Sequence, residues 1–126
     1  MDKNKKLEWI LRIAVAGEFI GHGVFGLMVK QSWIPYLTSV GIPAETASTI
    51  MPIIGALDIT LAVLVLIKPL RLALVWMTFW AFSTALIRPI AGEPIWDFLE
   101  RFANIGAPLA LLYLKGFPKS LKELFS

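Results

Sequence analysis

The stretch that decides the fold is Gly17-Glu18-Phe19-Ile20-Gly21-His22-Gly23-Val24-Phe25-Gly26, set inside an apolar run over residues 9–29. A helix of that length reaches about 30 Å, the thickness of a bilayer's hydrocarbon core. Within it a carboxylate and the only histidine of the chain stand one helical turn apart. Ionisable groups at that depth are expensive in lipid, so they need a partner or a function. Gly17 and Gly21 make a GxxxG step, and Gly23 and Gly26 add further bare backbone. Small residues at such spacing predict that a second helix packs against Gly17 and Gly21.

Outward from this run the chain repeats its pattern. Apolar blocks recur over 44–67, 71–88 and 95–114. They are separated by an aromatic, polar segment at 30–43, the turn Lys68-Pro69-Leu70-Arg71, and the stiff link Arg88-Pro89-Ile90-Ala91-Gly92-Glu93-Pro94. Hydrophobic residues make up 57% of the chain, against about 45–50% in soluble domains. The expected architecture is all-α, a bundle of four transmembrane helices forming a single membrane domain over 1–126, with 30–43 on the surface. Pro52 is expected to kink the second helix, and Pro89 with Gly92 to end the third. The basic tail 115–126 suggests a short surface helix, with Leu121, Leu124 and Phe125 facing lipid.

Composition also excludes. There are no cysteines, so thiolate metal sites and CxxC redox chemistry by this chain are ruled out. The net charge is +3, but no basic stripe with interleaved aromatics occurs and no nucleic-acid partner is expected. No Walker loop, dinucleotide fingerprint or nucleophile elbow occurs, and no residue can be assigned as catalytic. The lysines lie at the edges of the apolar blocks instead. With a cytoplasmic N-terminus, Lys3, Lys5, Lys6, Arg12, Lys68, Arg71, Lys115, Lys119 and Lys122 fall inside, while only Lys30, Arg88 and Arg101 fall outside. That asymmetry predicts a multi-pass protein of a bacterial inner membrane with both termini cytoplasmic. The basic start followed by Ala14-Val15-Ala16 mimics a cleaved signal. Arg12 interrupts the apolar part and apolarity continues past Gly17, so a retained first span is expected.

In this topology Glu18 lies roughly 13 Å from the inner end of the first helix and Asp58 about 15 Å from the outer part of the second, both near the midplane. His22, Ser83, Thr84 and Asn104 fall in the outer half, and Arg88, Asp97, Glu100 and Arg101 at the outer rim. The polar residues thus outline a funnel open to the outer face, with Trp33, Tyr36, Trp80 and Trp96 as walls. Glu18, His22, Asp58, Trp80, Thr84, Arg88, Glu100 and Asn104 are the candidate ligand-binding residues. A carboxyl beside an imidazole can relay a proton or hydrogen-bond the carbonyl of a lipid-soluble ligand. Ligation of haem b or c would want two histidines, or a histidine with a methionine, and His22 is the only histidine; no metal is expected. Each residue also has a structural reading: Glu18, His22 and Asn104 can bond one another as internal glue, and the Trp76–Trp80 ridge can be packing or lipid contact.

Arg12 followed by Gly17, Phe19 and His22-Gly23, and Gly55-Ala56-Leu57-Asp58 followed by a leucine-rich stretch ending in Pro69-Leu70-Arg71, resemble the first two helices of the DoxX-like membrane proteins. Two features depart from that family's pattern: Asp58 stands where glutamate is commoner, and the acidic, aromatic segment 93–101 has no counterpart. The resemblance implies a quinone or other lipid-like ligand and an accessory or subunit role in electron transfer, with a redox partner subunit or a second copy as possible partners. It gives weight to Glu18, His22, Asp58 and Arg71. A small proton-coupled transporter and a non-catalytic assembly factor are the alternatives.

Overall fold

The computed structural model describes residues 2–126. It is all-helical, with α1 Lys3–Leu27, α2 Ile34–Thr38, α3 Ala44–Ile67, α4 Arg71–Ile90, α5 Ile95–Leu99 and α6 Phe102–Lys115, and 3₁₀ turns at Gln31–Trp33 and Glu123–Phe125. Three of these, α1, α3 and α4, are long and apolar enough to cross a membrane. Much of their outer surface is apolar: Ile10, Ile13, Ile53, Val63 and Phe79 are all exposed, as suits helices bathed in lipid.

The helices run alternately up and down. Around the bundle the order is α3, α1, α6, α4, and the consecutive pair α3 and α4 barely touch. Packing is tightest between α1 and α3. On α1 the buried stripe is Arg12, Ala16, Phe19, Gly23 and Gly26; on α3 it is Met51, Gly55, Asp58, Ala62 and Val65. Both stripes step by four and three residues, the knobs-into-holes spacing of gently crossed helices. The backbones come closest where glycine meets glycine: a Cβ built on Gly55 would sit 2.5 Å from the carbonyl oxygen of Gly23. Gly17 and Gly21 do not make this contact. Both face open space, because they lie off the 3–4 stripe that α3 occupies.

Two buried or half-buried arginines tie the helices at the end that holds the α3–α4 turn. Arg12 donates through Nε to the Val65 carbonyl at 2.9 Å and through Nη2 to that of Leu66, satisfying two carbonyls left open by the end of α3. Its Nη1 meets Glu8 at 3.4 Å. Arg71 does the same for α6, donating to the carbonyls of Gly116 at 2.7 Å and Lys115 at 2.5 Å, and its Nη1 holds the Ser126 hydroxyl at 2.8 Å. The last residues thus dock on α4 through a 3₁₀ turn and form no surface α-helix. The solid core, Val15, Phe19, Leu61, Val65, Leu74, Met77 and Leu111, fills this same half of the bundle.

Several boundaries differ from the sequence expectation. α1 starts at Lys3, capped by Asp2, whose carboxylate accepts from the Lys5 amide at 2.7 Å. α4 runs through Pro89 to Ile90 and is closed by Gly92, at φ +98°. The helix expected over 95–114 is broken at Glu100 and Arg101 into α5 and α6. There the Arg101 side chain donates to the Asp97 carbonyl at 2.7 Å, the acceptor that a continuous helix would give to the Arg101 amide. That amide turns to Phe98 instead, at 3.2 Å. α1 ends with Val29 in the left-handed region, φ +51°, and the Lys30 amide bonds back to the Phe25 carbonyl at 3.0 Å. This is a Schellman-type stop at a position where glycine is usual.

Candidate cavity beneath the α2 cap

Because α3 and α4 diverge away from their turn, the other half of the bundle is not filled. A cavity of about 290 Å³ opens there. The segment that includes α2 roofs it, with Trp33, Tyr36, Leu37, Val40 and Ile42 facing inward. Its walls are Ile50, Met51 and Ile54 of α3 and Trp80, Ser83, Thr84 and Ile87 of α4. Three chargeable groups reach it: His22 from α1, Asp58 from α3 and Arg88 from α4. An apolar pocket with a few polar groups is the common form of a small-molecule site, and this one lies at the lower end of their ~300–1,000 Å³ range.

Of the eight candidate residues, His22, Asp58, Trp80, Thr84 and Arg88 line the cavity; Glu18, Glu100 and Asn104 do not. Glu100 is exposed and pairs with Arg101 at 2.7 Å. Asn104 lies on α6, across the bundle from the α3–α4 gap. Glu18 sits on α1 near Asp58, close enough for their charges to interact. Both of its carboxyl oxygens are buried without a hydrogen-bond partner, so the expected Glu18–His22–Asn104 network is absent. The imidazole of His22 packs edge-on against Trp33 instead, with centroids 5.6 Å apart and planes at 82°. Trp96, expected as a wall, is 69% exposed and lies outside the cavity. Trp76 and Trp80 stack at 5.6 Å, and only Trp80 reaches the cavity. Among the described residues no group of three histidine or acidic side chains gathers as metal ligands would.

The roof is fastened to the α4–α5 turn, where Tyr36 donates its hydroxyl to Glu93 at 2.7 Å. Its ring lies 4.8 Å from the guanidinium carbon of Arg88, a cation–π contact. Burial pushes the Tyr36 phenol above its ordinary 10.0, and the bond to Glu93 acts in the same direction. That same bond is the chief cause holding the Glu93 carboxyl below its ordinary 4.5. The sequence marks Tyr36 as a wall but Glu93 only as part of the link after the third helix. Its partner is 57 residues away in the chain, and no local pattern marks such a pair.

Neither protein-family models, curated proteins nor solved structures contain a match to this chain.

Proposed function

We propose that this chain is a DoxX-like, multi-pass protein of a bacterial inner membrane that holds a lipid-soluble small molecule in the cavity beneath α2. The observation that carries this is the placement of the cavity. It lies between two apolar helices that diverge, so a ligand's tail can leave sideways into lipid while its polar head meets His22, Thr84 and Arg88. Trp33 and Trp80 offer flat walls to a ring. A quinone is the redox-active member of this ligand class, and with a quinone bound the chain would serve as an accessory or subunit of an electron-transfer system. α5 and α6 in tandem, residues 95–115, reach about 30 Å and would supply the fourth crossing. The cationic residues of the α3–α4 turn end support a cytoplasmic orientation for that end and for both termini.

The test is retention. The chain is purified in mild detergent, and its lipid extract is examined by mass spectrometry beside that of Ser83→Trp, which fills the cavity. One lipid-soluble molecule per chain, lost from the variant, is expected; a quinone as that molecule supports the electron-transfer role. Equal extracts from both proteins refute the binding site. Reporter fusions at Gly92 and Ser126 should report opposite sides of the membrane, and the same side for both refutes the four-span topology.

One observation favours a second reading, the proton-coupled transporter. The Glu18 carboxyl is buried without a partner beside Asp58, and intramembrane carboxyls of that kind carry protons in pumps and transporters. Substrate-driven proton uptake in liposomes that Glu18→Gln abolishes would establish it; uptake unchanged by that substitution would dismiss it.

A further inference from the structure

The cavity contains one charge without an ion-pair partner: the Tyr36 ring lies against the Arg88 guanidinium, and Glu93 and Asp97 act on it electrostatically without pairing with it. Arg88 is 4% exposed and lines the cavity. Its Nη1 donates to the Thr84 carbonyl one turn back. Its Nε is buried without a partner, its Nη2 makes no hydrogen bond, and no carboxylate lies within ion-pair distance; the ion pairs of the described residues involve Lys5, Arg12 and Arg101 only. Arg12, as deeply buried at 7%, shows how this chain treats an arginine that serves structure, since its Nε, Nη1 and Nη2 all find acceptors.

What Arg88 leaves free is the Nε–Nη2 edge, two parallel N–H donors spaced to meet the two oxygens of one carboxylate. The surrounding charges favour an anion there. Lys30, Arg88 and Arg101 all act electrostatically on His22 inside the cavity. On the rim, Glu93 is committed to Tyr36, and Asp97 stands in the short helix α5; both act on Arg88 electrostatically, but neither forms an ion pair with it. Asp58 is eight residues deeper along the bundle than Arg88, counted from the α3–α4 turn, or about 12 Å, beyond the reach of a head group held at Arg88. A buried guanidinium in an apolar cavity is costly without a counter-charge. A neutral carbonyl would offer it one acceptor and leave the charge standing.

We propose that the ligand of this cavity is an amphiphile with a carboxylate head, of the long-chain fatty-acid class. The carboxylate docks side-on against Nε and Nη2 of Arg88, and the acyl chain leaves between α3 and α4 past Ile54 and Ile87. This rests on the cavity being a lipid-ligand site, and it narrows the ligand class from any polar-headed lipid to an anionic one.

The test is a binding assay on the full chain in nanodiscs at pH 8, with tritiated palmitic acid competed by unlabelled palmitic acid, methyl palmitate and hexadecanol. The acid should compete at least tenfold better than the ester or the alcohol, and Arg88→Gln should weaken saturable acid binding at least tenfold. If ester and alcohol compete as well as the acid, the carboxylate proposal fails while the lipid-binding site stands. Absence of any saturable binding by all three, together with no quinone binding, would overturn both. A lysophosphatidic acid that outcompetes palmitic acid tenfold would assign the edge to a phosphate and also overturn the proposal. Should Arg88→Gln not fold, the comparison of acid with ester on the native chain decides alone.

Discussion

Replacing Gly55 by alanine should loosen the seam between α1 and α3, while the same change at Gly21 should not. A Cβ on Gly55 would stand 2.5 Å from the Gly23 carbonyl oxygen, 2.8 Å from the Leu27 nitrogen and 3.1 Å from the Gly26 carbonyl carbon. All three are backbone atoms, which cannot swing aside. Ordinary contact is about 3.5 Å, so the helices must separate by roughly 1 Å, and that gap forfeits a quarter to a half of each facing dispersion contact. Overpacking of this kind costs about 1–3 kcal/mol, and the better helix propensity of alanine returns about 1 kcal/mol. The net loss is then about 0–2 kcal/mol, or a fall in Tm of up to about 8 °C at this chain length. At Gly21 nothing lies within 4 Å of the added methyl, so only the propensity gain of up to ~1 kcal/mol remains. Thermal melts followed by circular dichroism in one detergent compare the two variants directly. A Gly55→Ala protein that melts with or above Gly21→Ala would refute the close α1–α3 approach.

Further outcomes follow from single contacts. Arg12→Lys keeps the charge but cannot reach both α3 carbonyls, and should cost about 2–3 kcal/mol in the same melts; an unchanged Tm would count against the cap. Val29→Gly relieves a β-branched residue at φ +51° and should stabilise the protein by about 1 kcal/mol, whereas a lower Tm would show that the Val29 side chain matters more. The Tyr36–Glu93 fastening should depend on pH at both ends. Glu93, held below its ordinary value, contributes above pH 4.5 and loses that contribution as pH falls through its lowered folded value. Tyr36, pushed above its ordinary value, contributes below pH 10.0 and loses that contribution as pH rises through its raised folded value. Hydrogen exchange of the α2 amides should therefore speed up below the usual glutamate range and above the usual tyrosine range, and Tyr36→Phe should give fast exchange at every pH; exchange indifferent to both would mean the roof is held by packing alone.

The existence of the helices was legible because long apolar runs have one explanation, but the side each helix turns inward was not. In a soluble helix the polar face marks the outside. In α1 and α3 both faces are apolar, so the phase has to come from small residues instead. Gly17 and Gly21 satisfy the GxxxG pattern, yet the stripe that packs is Ala16, Phe19, Gly23 and Gly26 against Gly55, Asp58, Ala62 and Val65. The distinguishing signal was present in the sequence. Only the second set continues at alternating three and four residues over the length of both helices, and only that set begins with an arginine that can reach the carbonyls ending its neighbour. The break in the fourth apolar block was not legible. It depends on the Arg101 side chain taking the Asp97 carbonyl, a competition between two donors of one residue that leaves no mark in periodicity.

Depth along the helices sorted the polar residues well, and azimuth did not. His22, Asp58, Thr84 and Arg88 share the cavity with Trp80, whereas Glu18, Glu100 and Asn104 point elsewhere despite similar depths. Spacing along one helix says which residues are level. Whether they face each other depends on which helices are neighbours, and here α1 and α6 pack while α3 and α4 part. That parting creates the site. It leaves Asn104 beside the filled side of the bundle and Arg88 beside the open one. The chain spends its other buried arginine, Arg12, on closing the end of a neighbouring helix; Arg88, in the last turn of α4, donates only to Thr84 of its own helix. Its unfilled edge and the space in front of it are two consequences of the same divergence, and a carboxylate-headed lipid would answer both.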